Sequence, residues 1–432
     1  MRSFSPLAAG LVIGIMAYAQ HDAGAGETPP TPLYELTMLE KLPSIFQGNT
    51  VPQAINDDGM IVGSSLDGSL RNRPVLWNNS TAPVDLAIGE GGSVDGAFDV
   101  SPSGLIAGRL GAGAAVWTPQ GRIDLSPLPG HVTATALGVN DAGTAVGTST
   151  NSSGNIHAVV WPDIFAVGGP SEPVELPSID GLARTTAVSI SENGVISGTD
   201  DSGVSPFRNG VFWSPDETGY VLRVLDLLSG RPNDAPSAAG RISDNGLFLA
   251  GTAGLTITPS SHRNHSVRWA PDGSITNLGA LNNQTGFGIG NDANDAGLVV
   301  GGGELTFGDA RAVLYDNGFL FDLNFSVVNP VPNFVLRNAR SINNSGQIVG
   351  TGDFGGGDGT TNHAWLLTPV VAFLFGDIDL NGVVNIDDVD NMAAVVIAGT
   401  ATPPVFERAD LTFDGVLDGR DLQEFVTLLL SQ

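Results

Sequence analysis

Two twelve-residue loops near the end of the sequence carry oxygen-bearing side chains at matching positions. The loops are DIDLNGVVNIDD, which starts at Asp377, and DLTFDGVLDGRD, which starts 33 residues later at Asp410. Oxygen side chains occupy positions 1, 3, 5, 9 and 12, position 7 would offer its backbone carbonyl, and glycine at position 6 permits a sharp bend. This spacing surrounds a hard cation with oxygen, so the sequence predicts two calcium ions. The predicted ligands are Asp377, Asp379, Asn381, Val383, Asn385 and Asp388 in the first loop, and Asp410, Thr412, Asp414, Val416, Asp418 and Asp421 in the second.

An apolar stripe with helical spacing follows each loop. Both stripes have i, i+3, i+4, i+7 spacing, which predicts two amphipathic helices that pack against each other. Two solvated acidic turns would not explain why ligands, glycine and stripe repeat in register. Without a cation the crowded aspartates repel one another, so we expect folding of this segment to depend on calcium. The stripes are Val389, Met392, Ala393 and Val396, and Leu422, Phe425, Val426 and Leu429.

Two loop-then-helix units with aspartate at position 12 resemble a dockerin domain. An ordinary EF-hand has a helix before the loop and glutamate at position 12, whereas VVAFLF precedes the first loop here. The resemblance covers about residues 375–432. It implies docking onto a cohesin-type domain of a scaffold or cell-surface protein. It also implies that loop positions 10 and 11 select the partner, which here are Ile386, Asp387, Gly419 and Arg420.

Seven copies of a hairpin signal precede these loops. Each copy begins with a four-residue motif: Asn or Ser, then a residue that is usually acidic, then a variable residue, then glycine. A short apolar run follows the motif and ends at another glycine. Glycine is expected at the turn because a tight hairpin turn needs a residue with positive φ. The repeats are 39 to 52 residues long, which is typical of a four-stranded propeller blade. The turn glycines are Gly59, Gly104, Gly143, Gly194, Gly246, Gly297 and Gly346.

A second strand in each repeat ends in a large apolar residue. A large residue at the same place in every unit predicts a packing wedge between blades rather than a ligand platform. The wedge residues are Trp77, Trp117, Trp161, Trp213, Trp269, Tyr315 and Leu367.

An acid or amide followed by leucine also recurs. Two interpretations are open: each acid bonds groups within its own blade, or the acids circle a central channel and attract cations. We favour the first, since symmetric repetition is what a fold requires and an active site usually breaks symmetry. The residues are Glu35, Asp85, Asp124, Glu175, Asp226, Asn277 and Asp322.

The ends of the repeat array indicate how it closes. The last repeat ends at HAWLLTP and lacks an outer strand, while LYELTMLEKL stands before the first hairpin without a repeat of its own. The N-terminal strand is therefore predicted to complete the last blade and remove open sheet edges. The pairs His157-Ala158 and His363-Ala364 resemble a family of extracellular repeats named for a His-Ala-Phe signature, over roughly residues 33–369. That resemblance implies an exported propeller-like region with no established reaction.

The N-terminus and the composition indicate an exported protein. Arg2 precedes an apolar run that is too short to span a bilayer and that ends in Ala17-Tyr18-Ala19, so residues 1–19 are interpreted as a signal peptide and 20–32 as a linker. No later segment is long and apolar enough to be transmembrane. The net charge of -27 excludes a phosphate-backbone partner, because nucleic-acid binding needs clustered Lys and Arg. We expect a secreted or extracellular protein, attached to a cell surface if docking occurs.

The sequence thus predicts a mainly β protein: a seven-bladed β-propeller at 33–369, followed at 370–432 by a small α-helical dockerin with two EF-hand-like calcium loops. The favoured function is a secreted, non-catalytic propeller tethered to a cohesin-type partner, with carbohydrate as a further candidate ligand. The alternative is a polysaccharide-degrading hydrolase that uses paired carboxylates.

For that hydrolase alternative, sequence spacing brings no two off-pattern acids together, so no catalytic residue is assigned. The stretch His262-Arg263-Asn264-His265 is interpreted as a solvated loop rather than a zinc site. The off-pattern acids are Glu90, Asp95, Glu304 and Asp309.

Overall fold

The computed structural model describes residues 32–430 with short gaps. The segment interpreted as a signal peptide, most of the linker and most of the first calcium loop lie outside the described residues. The chain divides into two compact units, one of which spans Leu33–Pro369. The gaps are 44–48, 88–94, 180, 182–183, 202–208, 218, 229–236, 259–260, 283–286, 307, 317, 355–361, 371–387, 401–408, 410 and 413–415.

The unit Leu33–Pro369 consists of antiparallel strands and one short 3-10 helix, Leu323–Phe325. The first fourteen strands are β1 (Tyr34–Met38), β2 (Thr50–Ile55), β3 (Met60–Leu66), β4 (Asn72–Asn78), β5 (Val84–Asp85), β6 (Gly96–Val100), β7 (Ile106–Leu110), β8 (Gly113–Thr118), β9 (Gly121–Leu125), β10 (His131–Val139), β11 (Ala145–Asn151), β12 (Ile156–Trp161), β13 (Val174–Glu175) and β14 (Thr185–Ile190). The other fourteen are β15 (Ile196–Asp200), β16 (Asn209–Asp216), β17 (Gly219–Val224), β18 (Ser237–Ile242), β19 (Leu249–Thr258), β20 (Ser261–Trp269), β21 (Ile275–Gly279), β22 (Gly288–Ala293), β23 (Val299–Thr306), β24 (Asp309–Asp316), β25 (Phe319–Asp322), β26 (Phe334–Ile342), β27 (Ile348–Phe354) and β28 (His363–Pro369).

These strands form seven four-stranded sheets, so the predicted seven-bladed β-propeller is confirmed. Blades 1 to 6 each consist of four consecutive strands, beginning with β2, β6, β10, β14, β18 and β22. The first strand of every blade contacts the first strands of both neighbouring blades, and β26 contacts β2. The first strands therefore surround a central channel, and the fourth strands lie at the outer edge.

Blade 7 combines the two ends of the repeat region. Its order is β1-β28-β27-β26, with β1 antiparallel to β28 and Leu36 opposite Leu367. The predicted closure by the N-terminal strand is thus confirmed. It leaves no blade without a fourth strand, which removes the edge that an open ring would expose.

A β-bulge in the first strand of each blade explains the glycine that ends each apolar run. In blade 3 the register shifts between Ala136 and Gly138, and a Cβ on Gly147 would lie 2.0 Å from the Thr135 carbonyl oxygen. No side chain fits at that distance, so the position requires glycine for close approach of the two strands. The corresponding glycines of the other six blades meet a first-strand carbonyl oxygen at 1.8 to 2.4 Å in the same way.

The wedge residues pack between blades, as the sequence predicts. Trp77, Trp161, Trp213 and Trp269 are completely buried. Each indole Nε1, and that of Trp117, donates to a backbone carbonyl of the preceding blade at 2.7 to 3.1 Å. Each tryptophan therefore stabilises a blade interface by both packing and a hydrogen bond.

Two helices lie in the described part of the C-terminal segment, α1 (Asp388–Ala398) and α2 (Gly419–Leu430). They share a small core in which Met392 and Phe425 are fully buried. Of the predicted stripe, Val426 is instead 46% exposed, whereas Ala409 and Leu417, outside the stripe, are buried in this core. None of the described helices is long and apolar enough to cross a membrane.

Candidate functional site at the channel mouth

The seven hairpin turns of the repeated motif meet at one mouth of the central channel. The first residue of each motif accepts a hydrogen bond from the chain just beyond its own turn. In blade 1, Asn56 Oδ1 accepts from the Met60 N–H at 2.9 Å, and the other six motifs make the equivalent bond. Where this residue is asparagine, its Nδ2 also donates to a backbone carbonyl in the turn of the next blade. The motif therefore joins neighbouring blades as well as forming a turn.

The second residue of the motif adds a belt of hydrogen bonds around the mouth. Its side chain accepts a backbone N–H from the turn of the preceding blade. Asp57 accepts from Asn344 N at 2.7 Å, and Asp141 accepts from Ser103 N at 2.9 Å. The same bond is made by Glu192, Asp295 and Asn344.

Asp244 departs from this pattern in blade 5. Its carboxylate accepts no hydrogen bond from the described residues, whereas the other second-position acids do. Burial raises the pKa of Asp244 to about 7, and repulsion from neighbouring carboxylates adds to this shift. Those neighbours are Asp99, Asp292, Asp295 and Asp57. The mouth thus holds an acid that takes up a proton near neutral pH.

Replacing Asp244 by asparagine is expected to stabilise the protein at pH 8 and to change little near pH 4. An unfolded aspartate has a pKa of about 3.9, so the raised folded-state pKa of about 7 means that the folded state binds the proton more tightly. Stability of the unmodified protein therefore falls as the pH rises from about 4 through about 7. Since the side chain reaches solvent at the mouth, screening limits the gain to about 1 kcal/mol.

Urea unfolding of the Asp244→Asn variant between pH 4 and pH 8 measures this difference. Asp58→Asn changes an exposed acid of the blade 1 turn and serves as the control, with no pH-dependent difference expected. An Asp244→Asn variant that is less stable at pH 8 would contradict the assignment.

An arginine inside the channel links opposite blades. Arg241 of blade 5 donates to the Asp99 carboxylate and to the Phe98 carbonyl of blade 2. Beside it, burial raises the pKa of Asp292 to about 6, although Asp292 accepts from Ser341 Oγ at 2.6 Å. The remaining cavity measures about 40 Å³, which holds a few water molecules but no sugar ring. The channel interior is therefore filled by its own polar network.

The acid-leucine column lies along the outer strands, so the acids do not circle the channel, and five of its seven members bond within their own blade, as the favoured interpretation predicts. Three members pair with the residue that lies four positions before the wedge residue on the neighbouring third strand. Asp85 pairs with Arg73 at 3.1 Å, Glu175 with His157 at 2.6 Å, and Asn277 with His265 at 3.1 Å. Of the other members, Asp124 pairs with Arg122, and Asp322 accepts from Asn324 N.

Two members of that column were assigned to the wrong register. In blade 7 the residue equivalent to Asp85 is Met38, which lies opposite Trp365, and not Glu35. In blade 4 it is Val224, opposite Val211, and not Asp226. The register is set by pairing with the third strand, which an acid-leucine dipeptide does not reveal. Accordingly Leu225 is buried and Leu227 is 40% exposed.

The off-pattern acids serve local structure where they are described. Asp95 is buried and accepts from Gly111 N at 2.6 Å. Asp309 binds Arg311 and Arg337, each at 2.9 Å, and these bonds lower its pKa. Glu304 lies in β23, paired with Ala310, and Glu90 lies outside the described residues.

The second calcium loop is described in part, and its described positions converge. Asp421, at position 12, is fully buried. Its Oδ1 accepts from the backbone N–H and the hydroxyl of Thr412, each at 2.9 Å, and its Oδ2 accepts from Asp418 N at 2.9 Å. Positions 3, 9 and 12 of the predicted calcium loop thus meet around one carboxylate. The Asp418 carboxylate itself pairs with Arg420 at 2.8 Å.

Only the last predicted ligand of the first loop lies among the described residues. Asp388, at position 12, begins α1 and is fully buried, like its counterpart Asp421. Among the described residues no group of three or more His, Cys, Asp or Glu has metal-binding geometry. The remaining predicted ligands and the predicted partner-binding residues Ile386 and Asp387 lie outside the described residues. The ligands concerned are Asp377, Asp379, Asn381, Val383, Asn385, Asp410 and Asp414.

Comparison with known proteins gives structural likenesses without sequence relatives. No protein-family model matches the chain, and neither does any curated protein. A mutant puromycin hydrolase is similar with a TM-score of 0.49 and 13% identity, over 71% of this chain and 50% of that protein. TolB from Acinetobacter baumannii has a TM-score of 0.39 and 15% identity, over 60% and 61%. This chain thus spans about half to three fifths of the length of these two proteins.

A third structure, an ulvan lyase of polysaccharide lyase family PL25, has a TM-score of 0.42 and 13% identity over 79% of this chain and 94% of the lyase. At these identities and TM-scores none of the three indicates a ligand or a reaction for this chain.

Sequence reasoning missed the role of the second motif residues. The sequence predicted only a turn at these positions, and the possible ring of acids was assigned to the acid-leucine column instead. The signal was present, because Asp57, Asp141, Glu192, Asp244 and Asp295 recur immediately after the first motif residue. Their position at the channel mouth could not be predicted, since the order of the strands within a blade follows from folding.

Proposed function

We propose that this protein is a secreted, non-catalytic propeller that is tethered to a cohesin-type scaffold or cell-surface partner by a calcium-dependent dockerin. The observation that carries the proposal is the matched burial of two pairs of residues 33 positions apart. Asp388 and Asp421 are each 0% exposed, and so are Met392 and Phe425. The two loop-and-helix units therefore bury the same ligand position and the same helix position.

A fully buried carboxylate is costly unless it is compensated by hydrogen bonds or a cation. In the second loop Thr412 and Asp418 supply the hydrogen bonds. Calcium bound there would supply the positive charge that a loop of oxygen ligands needs. The oxygen atoms of Thr412 and Asp421, already in contact, fit a hard cation.

The non-catalytic part of the proposal is supported by the propeller interior. The channel is filled by the Arg241 network and leaves a cavity of about 40 Å³. Two off-pattern acids are already engaged in local bonds: Asp95 with the Gly111 N–H, and Asp309 with Arg311. Paired catalytic carboxylates in a glycosidase need room for a sugar between them, and neither place offers it.

Calcium titration of the full-length protein is expected to show saturable binding near two ions per chain, with a Kd of about 10⁻⁴ to 10⁻³ M. Asp421→Ala removes the carboxylate at position 12, so about one ion per chain should remain. Asp390→Asn changes an exposed acid of α1 and is the matched control, with binding unchanged. Isothermal titration calorimetry measures the stoichiometry.

Two results would contradict the proposal. One is the absence of saturable calcium binding. The other is equal capture of envelope proteins from the producing cells by the full-length protein with and without EDTA, since docking would then not depend on calcium.

A further inference from the structure

Two of the seven blade interfaces lack a tryptophan wedge, since blade 6 has Tyr315 and blade 7 has Leu367. In blades 1 to 5 the wedge is tryptophan, whose indole reaches a carbonyl of the preceding blade at 2.7 to 3.1 Å. In blade 6 the wedge is Tyr315, which is 3% exposed. Its hydroxyl donates to Ser266 Oγ at 2.7 Å and lies 3.4 Å from the Gly279 carbonyl oxygen. Tyr315 thus reaches a carbonyl of the preceding blade through its hydroxyl, as the tryptophans do through their indole N–H.

A cleft of about 250 Å³ lies beside Tyr315, between the outer strand β21 of blade 5 and the turns of blade 6. This is several times the volume of the channel cavity, so the cleft has room for a small ligand that displaces several water molecules. We call this space the blade 5–6 cleft; the residues used below are Arg268, Thr276, Asn277, Tyr315, Asp316 and Phe319.

The wall of the blade 5–6 cleft combines hydrogen-bonding groups of both kinds with an aromatic ring. Arg268 brings donors, Asp316 brings acceptors, and the Thr276 hydroxyl brings one of each. Phe319 adds ring surface. A pyranose needs this combination, because each hydroxyl both donates and accepts while the ring C–H groups pack on an apolar face.

Arg268 is held in position before any ligand arrives. Its Nη1 donates to the Gly297 carbonyl at 2.5 Å, and its guanidinium lies 5.0 Å from the centre of the Phe248 ring. Asn277 is also fixed, since its Oδ1 is bound to His265 Nδ1 and to Gly279 N. Side chains that are already ordered lose little entropy on binding, which favours a defined ligand.

The charged side chains of the cleft and of the whole chain indicate which sugars can bind. The guanidinium of Arg268 and the carboxylate of Asp316 line the same cleft with opposite signs, so the cleft itself favours a neutral ligand. The whole chain carries a net charge of -27, which repels anionic polysaccharides. We infer that the blade 5–6 cleft binds one neutral hexose unit of a polysaccharide. This inference rests on the proposed role of the propeller as a recognition body and names its ligand class.

Saturation-transfer NMR tests this with the full-length protein in EDTA and the methyl glycosides of glucose, galactose and mannose, and methyl glucuronide as the charged probe. We expect saturable binding of at least one neutral glycoside and none of the glucuronide. Phe319→Ala removes the aromatic ring that lines the cleft, so binding should weaken at least tenfold. Tyr315→Phe removes only a buried hydroxyl and is the control, with binding retained.

An obstructing variant tests the cleft in a second way. Thr276→Phe fills the cleft from the exposed side of β21, and it should also weaken binding at least tenfold. Val174→Phe changes an exposed outer-strand residue of blade 3 and should leave binding intact. Saturable binding of no neutral glycoside, preference for the glucuronide, or full binding in both the Phe319→Ala and the Thr276→Phe variants would overturn the inference. Because calcium is chelated throughout, these outcomes are independent of calcium-dependent docking.

Discussion

A chain that lacks Leu33–Leu42 is expected to lose its cooperative unfolding transition. This segment contains β1, the fourth strand of blade 7, and its backbone pairs with β28 from Tyr34 to Met38. It also buries four side chains, those of Tyr34, Leu36, Leu39 and Leu42. Burial of four such side chains is worth about 6–12 kcal/mol, which is comparable with the entire stability of a typical domain, about 5–15 kcal/mol.

The loss of this strand also opens the ring. Blade 7 would end in β28 with its outer hydrogen-bonding groups unpaired, and such an edge invites association with other chains. We therefore expect aggregation together with the loss of the transition. Thermal unfolding followed by circular dichroism, with light scattering in parallel, measures both effects.

A synthetic peptide of residues 33–42 provides the control for this deletion. Added in excess, it should restore the transition, since β1 pairs with the ring without a covalent requirement. The same peptide with Leu36→Asp and Leu39→Asp should fail, because both leucines are buried. A truncated chain that unfolds with the stability of the intact protein would refute closure by β1.

Replacing Trp213 by alanine is expected to lower the free energy of unfolding by about 3–5 kcal/mol. The side chain is fully buried in a cluster that joins blades 3 and 4, with Leu176 and Val160 among its neighbours. Its indole also donates to the Pro177 carbonyl at 2.7 Å. The substitution leaves a cavity at the interface and an unpaired carbonyl.

Two further variants separate the causes in a urea unfolding series. Trp213→Phe keeps most of the volume and loses the indole donor, so a smaller cost of about 1–3 kcal/mol is expected. Val167→Ala changes a fully exposed side chain and should have no measurable effect. An alanine variant that is no less stable than the phenylalanine variant would contradict the packing role of the tryptophan.

The channel mouth and the acid-leucine column show where prediction from the sequence succeeded and failed. The turn glycines were assigned a positive φ, and Gly59 and Gly143 have φ of +77° and +78°. The outer acids were expected to bond within their blades, and Asp85 does so with Arg73. The register of Glu35 and Asp226 was wrong, because a dipeptide match carries no information on which residue of the third strand lies opposite.

The sequence by itself determined the number of blades, the turns, the wedge positions and the closing strand. These features follow from two local requirements, positive φ at glycine and alternating burial along a strand. Both requirements repeat in every unit, so they can be recognised in the sequence alone. Tertiary structure alone decided that the second motif residues surround the channel mouth, that Asp244 lacks the hydrogen bond of its counterparts, and that a cleft lies between blades 5 and 6. Each of these depends on how residues far apart in sequence meet around a closed ring, where small differences between equivalent side chains change hydrogen bonding, charge and free volume.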